Sequence, residues 1–356
     1  MHRTLLFSLA MLTLAARPAA AGPSARFRID PLPGAKIQGL SDKESRAFFS
    51  GVEALSAHLA AIPAINAPAA PVCIALQREV FRYPMTAKQA EGKISVSYLA
   101  PMSGQTCHTA KIVNSSLPLS INLAPFAERS EAYDEDEAGR MLAPQAYTQL
   151  GDGLFLIQHK KSRYYVITRD REPALVPVTL ERHLKNAERK AAQRMQEVEQ
   201  QEANHREWLE QMHASYGRDL QKAPAALRQS LARNISDAEE SNRKARAEAA
   251  ESLAGVRGKL GSLSAEQRAS QVCLDFADGN QPSSVTSGAC AAPRVRLFAL
   301  NPALSKPSKG LFRYLVVEAT EGRHSTEQEH NFRHRTELVK QFDFSALAGV
   351  FRAAGK

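Results

Sequence analysis

Beyond residue 21 this sequence has no apolar run approaching the roughly 20 residues that a membrane-crossing helix needs, so a soluble chain that does not span a membrane is expected. Catalytic signatures are missing too. There is no Gly-x-Ser-x-Gly elbow, no His-Glu-x-x-His pair and no Ser-x-x-Lys with its usual partners. Gly151 and Gly153 lack the third glycine and following helix of a phosphate loop, and mark a hairpin turn instead. No cofactor is expected from these patterns. Tryptophan is reduced to Trp208, and cysteine to four residues.

What is present begins with an address. His2 and Arg3 precede an apolar run from Leu5 to Ala16, and Ala19-Ala20-Ala21 has the small-residue spacing that signal peptidase cuts. Residues 1–21 therefore read as a signal peptide, with a mature start at Gly22 and a periplasmic or secreted location. No cysteine follows the cut, so a lipid-anchored start is not expected. In that oxidising compartment Cys73, Cys107, Cys273 and Cys290 are expected to form two disulfides. Four cysteines permit three pairings. The long charged segment between 180 and 263 favours Cys73 with Cys107 and Cys273 with Cys290. The rival is a free, activated Cys107 beside His108. The formal charge of +9 is uneven, with residues 294–356 carrying +5. Such a tail suits ordinary solubility, or contact with an anionic envelope polymer. Nucleic acid is not an expected partner outside the cytoplasm.

Periodicity predicts an α+β fold class, a mixed body with an inserted long antiparallel helical hairpin resembling a coiled-coil arm. Residues 22–179 read as its N-terminal part. Ser41 caps a helix to Ile62, with Glu44 three residues on and Phe48, Val52, Leu55 and Leu59 on one face. Strands follow at Val72–Leu76, Ile94–Leu99, Leu117–Leu123, Leu154–Gln158 and Tyr164–Thr168. Glu128–Glu137 is acidic and aperiodic. From Leu180 the apolar period becomes helical through Val198, Leu209 and Leu220. Pro224 breaks it, and it resumes through Leu227, Ile235, Ala249 and Leu260. Residues 180–263 thus read as two helices folded back on each other. Residues 264–356 read as the C-terminal part, packing with the N-terminal one. A helix is expected over Ser264–Cys273, a loop over Asp278–Ser287, strands at Val295–Leu300 and Leu311–Val317, and helices over Glu327–Phe342 and Ala346–Phe351.

Tyr164-Tyr165-Val166-Ile167-Thr168, followed by Leu175-Val176-Pro177-Val178-Thr179 opening a long charged helix, resembles uncharacterised secreted bacterial proteins with the same strand and Val-Pro-Val-Thr step. Their tails also resemble Phe342-Asp343-Phe344-Ser345-Ala346-Leu347. The resemblance implies architecture and brings no activity with it.

Side chains that could do chemistry are few. Glu327, His330, His334 and Glu337 share a helical face and offer the imidazole and carboxylate ligands of a zinc site. Phe332, Val339 and Phe342 mark the opposite, core-facing side, so that stripe also reads as a charged surface. Asp134, Glu135, Asp136 and Glu137 supply calcium-type oxygens without an EF-hand pattern, and read better as a solvated loop. Ser103, Gly104 and His108 form a local Ser/His neighbourhood beside a glycine, and a turn closed by the Cys107 disulfide is its expected reading. His205 falls on the hairpin seam. Trp208, Met212 and Tyr216, near the hairpin's turn, are the candidate partner contacts. The expected role is that of an exported, non-enzymatic envelope or secreted protein, whose helical arm binds an envelope protein or polymer. The alternative is a hydrolase of envelope material, with carboxylates such as Glu79 or Asp152 in the α+β body.

Overall fold

The computed structural model describes residues 26–32, 36–37, 39–68, 72–81, 90–100, 105–109, 112–128, 132–136, 139–159, 162–275, 284–287, 290, 294–305, 312–320, 335 and 337–354. They form a mixed α+β protein with a long helical pair next to a multi-strand sheet body. In chain order the elements are β1 (Phe27–Ile29), α1 (Asp42–Ala60), α2 (Pro63–Asn66), β2 (Cys73–Phe81), β3 (Glu91–Ala100), β4 (Ile112–Ile121), α3 (Pro125–Glu128), β5 (Ala132–Asp136), β6 (Gly139–Leu142), β7 (Ala146–Gly151), β8 (Leu154–His159), β9 (Ser162–Thr168) and β10 (Leu175–Pro177). The chain continues with α4 (Leu180–Lys222), α5 (Ala225–Ser262), α6 (Ala265–Ala269), β11 (Val272–Asp275), β12 (Ser284–Ser287), β13 (Val295–Arg296), β14 (Phe298–Leu300), α7 (Pro302–Ser305), β15 (Tyr314–Thr320) and α8 (Phe344–Ala353).

One compact unit takes its described residues from Met1–Leu119, Lys309–Phe312 and Glu321–Lys356. Ser41 and Glu44 close the expected capping box, so α1 starts where its backbone donors find side-chain partners. Its apolar face, Phe48, Val52, Leu55 and Leu59, is fully buried. The Phe312 ring meets Phe48 edge-on at 4.8 Å and stacks on Phe351 of α8 at 5.7 Å. Gly51 is required beside it, because a Cβ there would lie 2.6 Å from the Phe312 ring. Strands β1, β2, β3 and β4 lie in that order, with β1 parallel and β3 antiparallel to β2. Cys73 of β2 is bonded to Cys107, with Cα atoms 5.5 Å apart. Asp343 caps α8 through Ser345 N–H and Ala346 N–H.

The other unit comprises Ser120–Ser308 and Arg313–Thr320. Strands β15, β9, β8 and β7 form an antiparallel run, with Tyr314 opposite Thr168 and Leu154 opposite Ile167. Their buried face, Tyr164, Val166, Phe155, Ile157 and Val316, packs with Phe126 and Phe298 into one core. A second sheet runs β10, β14, β6, β5, and a third β12, β11, β13. Val178, Leu180, Val272, Leu274 and Leu297 make a second core beneath the start of α4. Cys273 is bonded to Cys290.

Several local expectations change. The helix expected over Ser264–Cys273 stops at Ala269, because Val272, Cys273 and Leu274 are all buried, and a strand inside a sheet buries successive residues on both faces. Ser284–Ser287, expected within a loop, pairs with β11 as a strand. The strand expected at Val295–Leu300 is cut at Leu297 into β13 and β14, which belong to different sheets. Leu297 N–H donates to Val272 C=O and its own C=O accepts from Val178 N–H, so the break leaves no backbone group unpaired there. The acidic stretch 132–136 is strand β5, paired with β6.

Candidate functional site

The sequence makes α4 long by spacing apolar residues at three and four and by placing no breaker before Pro224, which ends the first helix and begins the second. Glu188 pairs with Arg257 and Glu202 with Arg246, so positions rising along α4 meet positions falling along α5. The helices are antiparallel neighbours. Their seam is thin. Between Ala187 and Leu260, Ala191, Val198 and Ala249 are the only buried side chains among those described, and Leu209, Met212, Ile235, Leu253 and Val256 remain half-buried. A two-helix pair covers each apolar stripe from one side only.

At its base α4 is clamped. Arg182 Nε and Nη2 donate to the two oxygens of Asp136 at 2.7 and 2.8 Å, a bidentate pair. Asn186 Nδ2 donates to Asp134 at 2.8 Å, and the Lys190 ammonium pairs with the same carboxylate. Arg189 reaches the Glu135 carbonyl. The Asp134 and Asp136 side chains are only 12% and 13% exposed. Asp134 and Asp136 are therefore not part of a solvated loop, while Glu137 lies outside the described residues. They belong to the edge strand β5, and α4 takes up their charge through Arg182, Asn186 and Lys190. A groove of about 420 Å³ runs along these pairs, but its cations are engaged, Arg182 by Asp136 and Lys185 by Glu181. His183 lies under the same turns, 8% exposed, with Nδ1 buried and unpartnered and its ring stacked on Tyr133. Burial holds its pKa below the usual value near 6.5, the Asp134 carboxylate opposes that shift, and Lys190 adds to it.

The far part of the pair has the opposite character. Trp208 is 49%, Tyr216 61% and Leu227 55% exposed, while Met212 is half-buried. The Trp208 ring stacks on His205 at 5.8 Å, and His205 Nε2 is buried without a partner. Beside them a cavity of about 370 Å³ is lined by Glu202, His205, Arg206, Glu239, Arg243 and Arg246. Leu227 joins the three residues the sequence singled out. It was read as seam, and only the geometry of the turn leaves it uncovered.

The remaining candidates separate. Glu327, His330 and His334 lie outside the described residues, and Glu337 is exposed and paired with Lys340. Among the described residues no three His, Cys, Asp or Glu side chains gather as a metal site. Ser103 and Gly104 also lie outside the described residues. His108 sits in the turn held by the Cys73–Cys107 bond, where its carbonyl accepts from Arg28. No described cysteine is free, which removes the activated-thiol reading of Cys107. Glu79 faces Lys93 across β2 and β3, whereas Asp152 pairs with Arg171 in the other unit. Comparison with protein-family models, curated proteins and solved structures gives no match. Among the described residues no helix is long and apolar enough to cross a membrane.

Proposed function

We propose that this chain is exported and works outside the cytoplasm as a non-catalytic protein, presenting the far part of its helical pair to an envelope partner. The observation that carries the reading is the exposure of Trp208, Tyr216 and Leu227 on an otherwise polar helix pair. Large aromatic side chains left outside are the usual anchors of a protein's contacts, because they bury much area at small entropic cost. The two disulfides support an oxidising compartment. The Val-Pro-Val-Thr step supports placing the chain beside the secreted bacterial proteins that it resembles.

Photo-crosslinking residues placed at 208, 212 and 216 in cells test the reading. Discrete adducts, absent when the probe sits at the clamped position 189, are expected. Failure of all three positions to form an adduct overturns it. Export is checked separately by mass spectrometry: a chain starting at Gly22 with two disulfides is expected, and an intact Met1 product with four thiols sinks it.

A further inference from the structure

The far end of the helical pair differs in charge from the rest of its length. About three turns of α4 before Pro224 and about three turns of α5 after it, residues 212–222 and 225–235, carry Arg218, Lys222, Arg228 and Arg233 against Asp219 alone. The rest of the pair holds 11 cations and 12 carboxylates. Six of those 11 cations pair with a carboxylate: Arg182, Lys185, Lys190, Arg194, Arg246 and Arg257. Among the described residues none of the four at the end does, and all four are exposed. The next carboxylates, Glu210 and Asp237, stand about 18 Å from the helix ends at 1.5 Å per residue, beyond the roughly 8 Å Debye length of physiological salt. Arg218 and Lys222 suit the C-terminal end of α4, where the helix dipole favours cations. Arg228 does not, because it stands at the start of α5, where the dipole disfavours a cation. Helix stability therefore does not account for its charge. Among these cations Tyr216 and Leu227 are left 61% and 55% exposed.

We infer that this end of the pair is a docking surface for an anionic lipid bilayer. The inference rests on the reading of the helical pair as the interacting element, and names the class of its partner. A cationic end matches a negatively charged headgroup layer, and each cation held near such a layer strengthens binding about five-fold. Three of the four cations are arginines, whose planar guanidiniums grip a phosphodiester through two hydrogen bonds. A soluble polyanion would satisfy the cations but leave Leu227 and Tyr216 in water. The boundary between headgroups and acyl chains covers both, because it takes up an aliphatic side chain and a phenol ring that is apolar in body and polar at its tip.

Cosedimentation with vesicles tests the inference. The mature chain is mixed with vesicles of phosphatidylcholine alone, and with vesicles of phosphatidylcholine and phosphatidylglycerol in equal parts. Partitioning onto the anionic vesicles about ten-fold or more above the neutral ones is expected, falling steeply as salt approaches about 1 M. Arg228→Gln with Arg233→Gln should lower that partitioning about ten-fold or more, and Leu227→Gln several-fold. Lys244→Gln with Lys259→Gln removes the same charge from exposed positions far from the turn, and should leave it within about two-fold. Circular dichroism checks that each variant keeps its helices. If the double arginine variant does not, Arg233→Gln alone decides, with a loss of about five-fold expected. Equal binding to both vesicles, binding to neither, or binding that survives the deciding variant overturns the inference. So does capture of soluble polyphosphate without capture by vesicles. Protein adducts at positions 208, 212 or 216 without vesicle binding would sink the bilayer alone and leave the interacting role standing.

Discussion

The sheet body and the helical pair of the same unit are held by different means. In the body, Tyr164, Val166, Leu315 and Val316 are fully buried. Along α4 and α5 nearly every apolar side chain keeps part of its surface in water, and exposed ion pairs link the two helices. Within the pair the base is clamped by buried carboxylates, whereas the far part exposes aromatic rings. Complete burial leaves the strands of the body no free apolar surface, whereas one-sided cover leaves surface available for recognition.

That comparison can be broken most sharply by truncation. Leu315→Ala should cost about 3 kcal/mol or more in urea unfolding, because a closed site cannot collapse around the void. Leu209→Ala should cost roughly half that or less, since its site is already open to water. Equal losses would show that the seam is packed like the body. Next in size is the clamp: Asp136→Ala strands Arg182, and should lower stability by about 3 kcal/mol. Lys340→Ala, which breaks an exposed pair, should change it by about 0.5 kcal/mol or less.

A smaller effect should appear with pH. Folding holds His183 neutral by depressing its pKa, so its contribution is fully present above its ordinary value near 6.5. It is lost as pH falls from there through the depressed folded value. The urea midpoint should therefore fall on acidification, and His183→Leu should flatten that slope. An unchanged slope would show that His183 is not the group responsible. Smallest is a gain. Gly255, Gly258 and Gly261 would each place a Cβ in open space, so Gly258→Ala should raise stability by up to about 1 kcal/mol, read as a higher Tm. Gly51→Ala should lower it, because its Cβ would strike Phe312.

Much of this fold was legible because its signals are local. The α1 capping box, the Pro224 break and the heptad-like spacing of α4 and α5 each involve residues within a turn or two of one another. The split at Leu297, the strand at Ser284 and the strand character of Asp134–Asp136 were not legible, since each depends on partners far away in the chain. Asp134 and Asp136 look like a solvated run until Arg182, Asn186 and Lys190 are brought against them. Trp208, Met212 and Tyr216 could be found by position alone. Leu227 could not, because its apolar character fits the seam that the turn prevents it from joining.

The sequence alone determined the helix caps, the length and break of the helical pair, and which cysteines lie near each other in the chain. These follow from short-range sterics and hydrogen bonding. Only the tertiary structure decided which charges neutralise one another and which strand each buried residue enters. Those outcomes are set by burial, and burial belongs to groups brought together from across the chain.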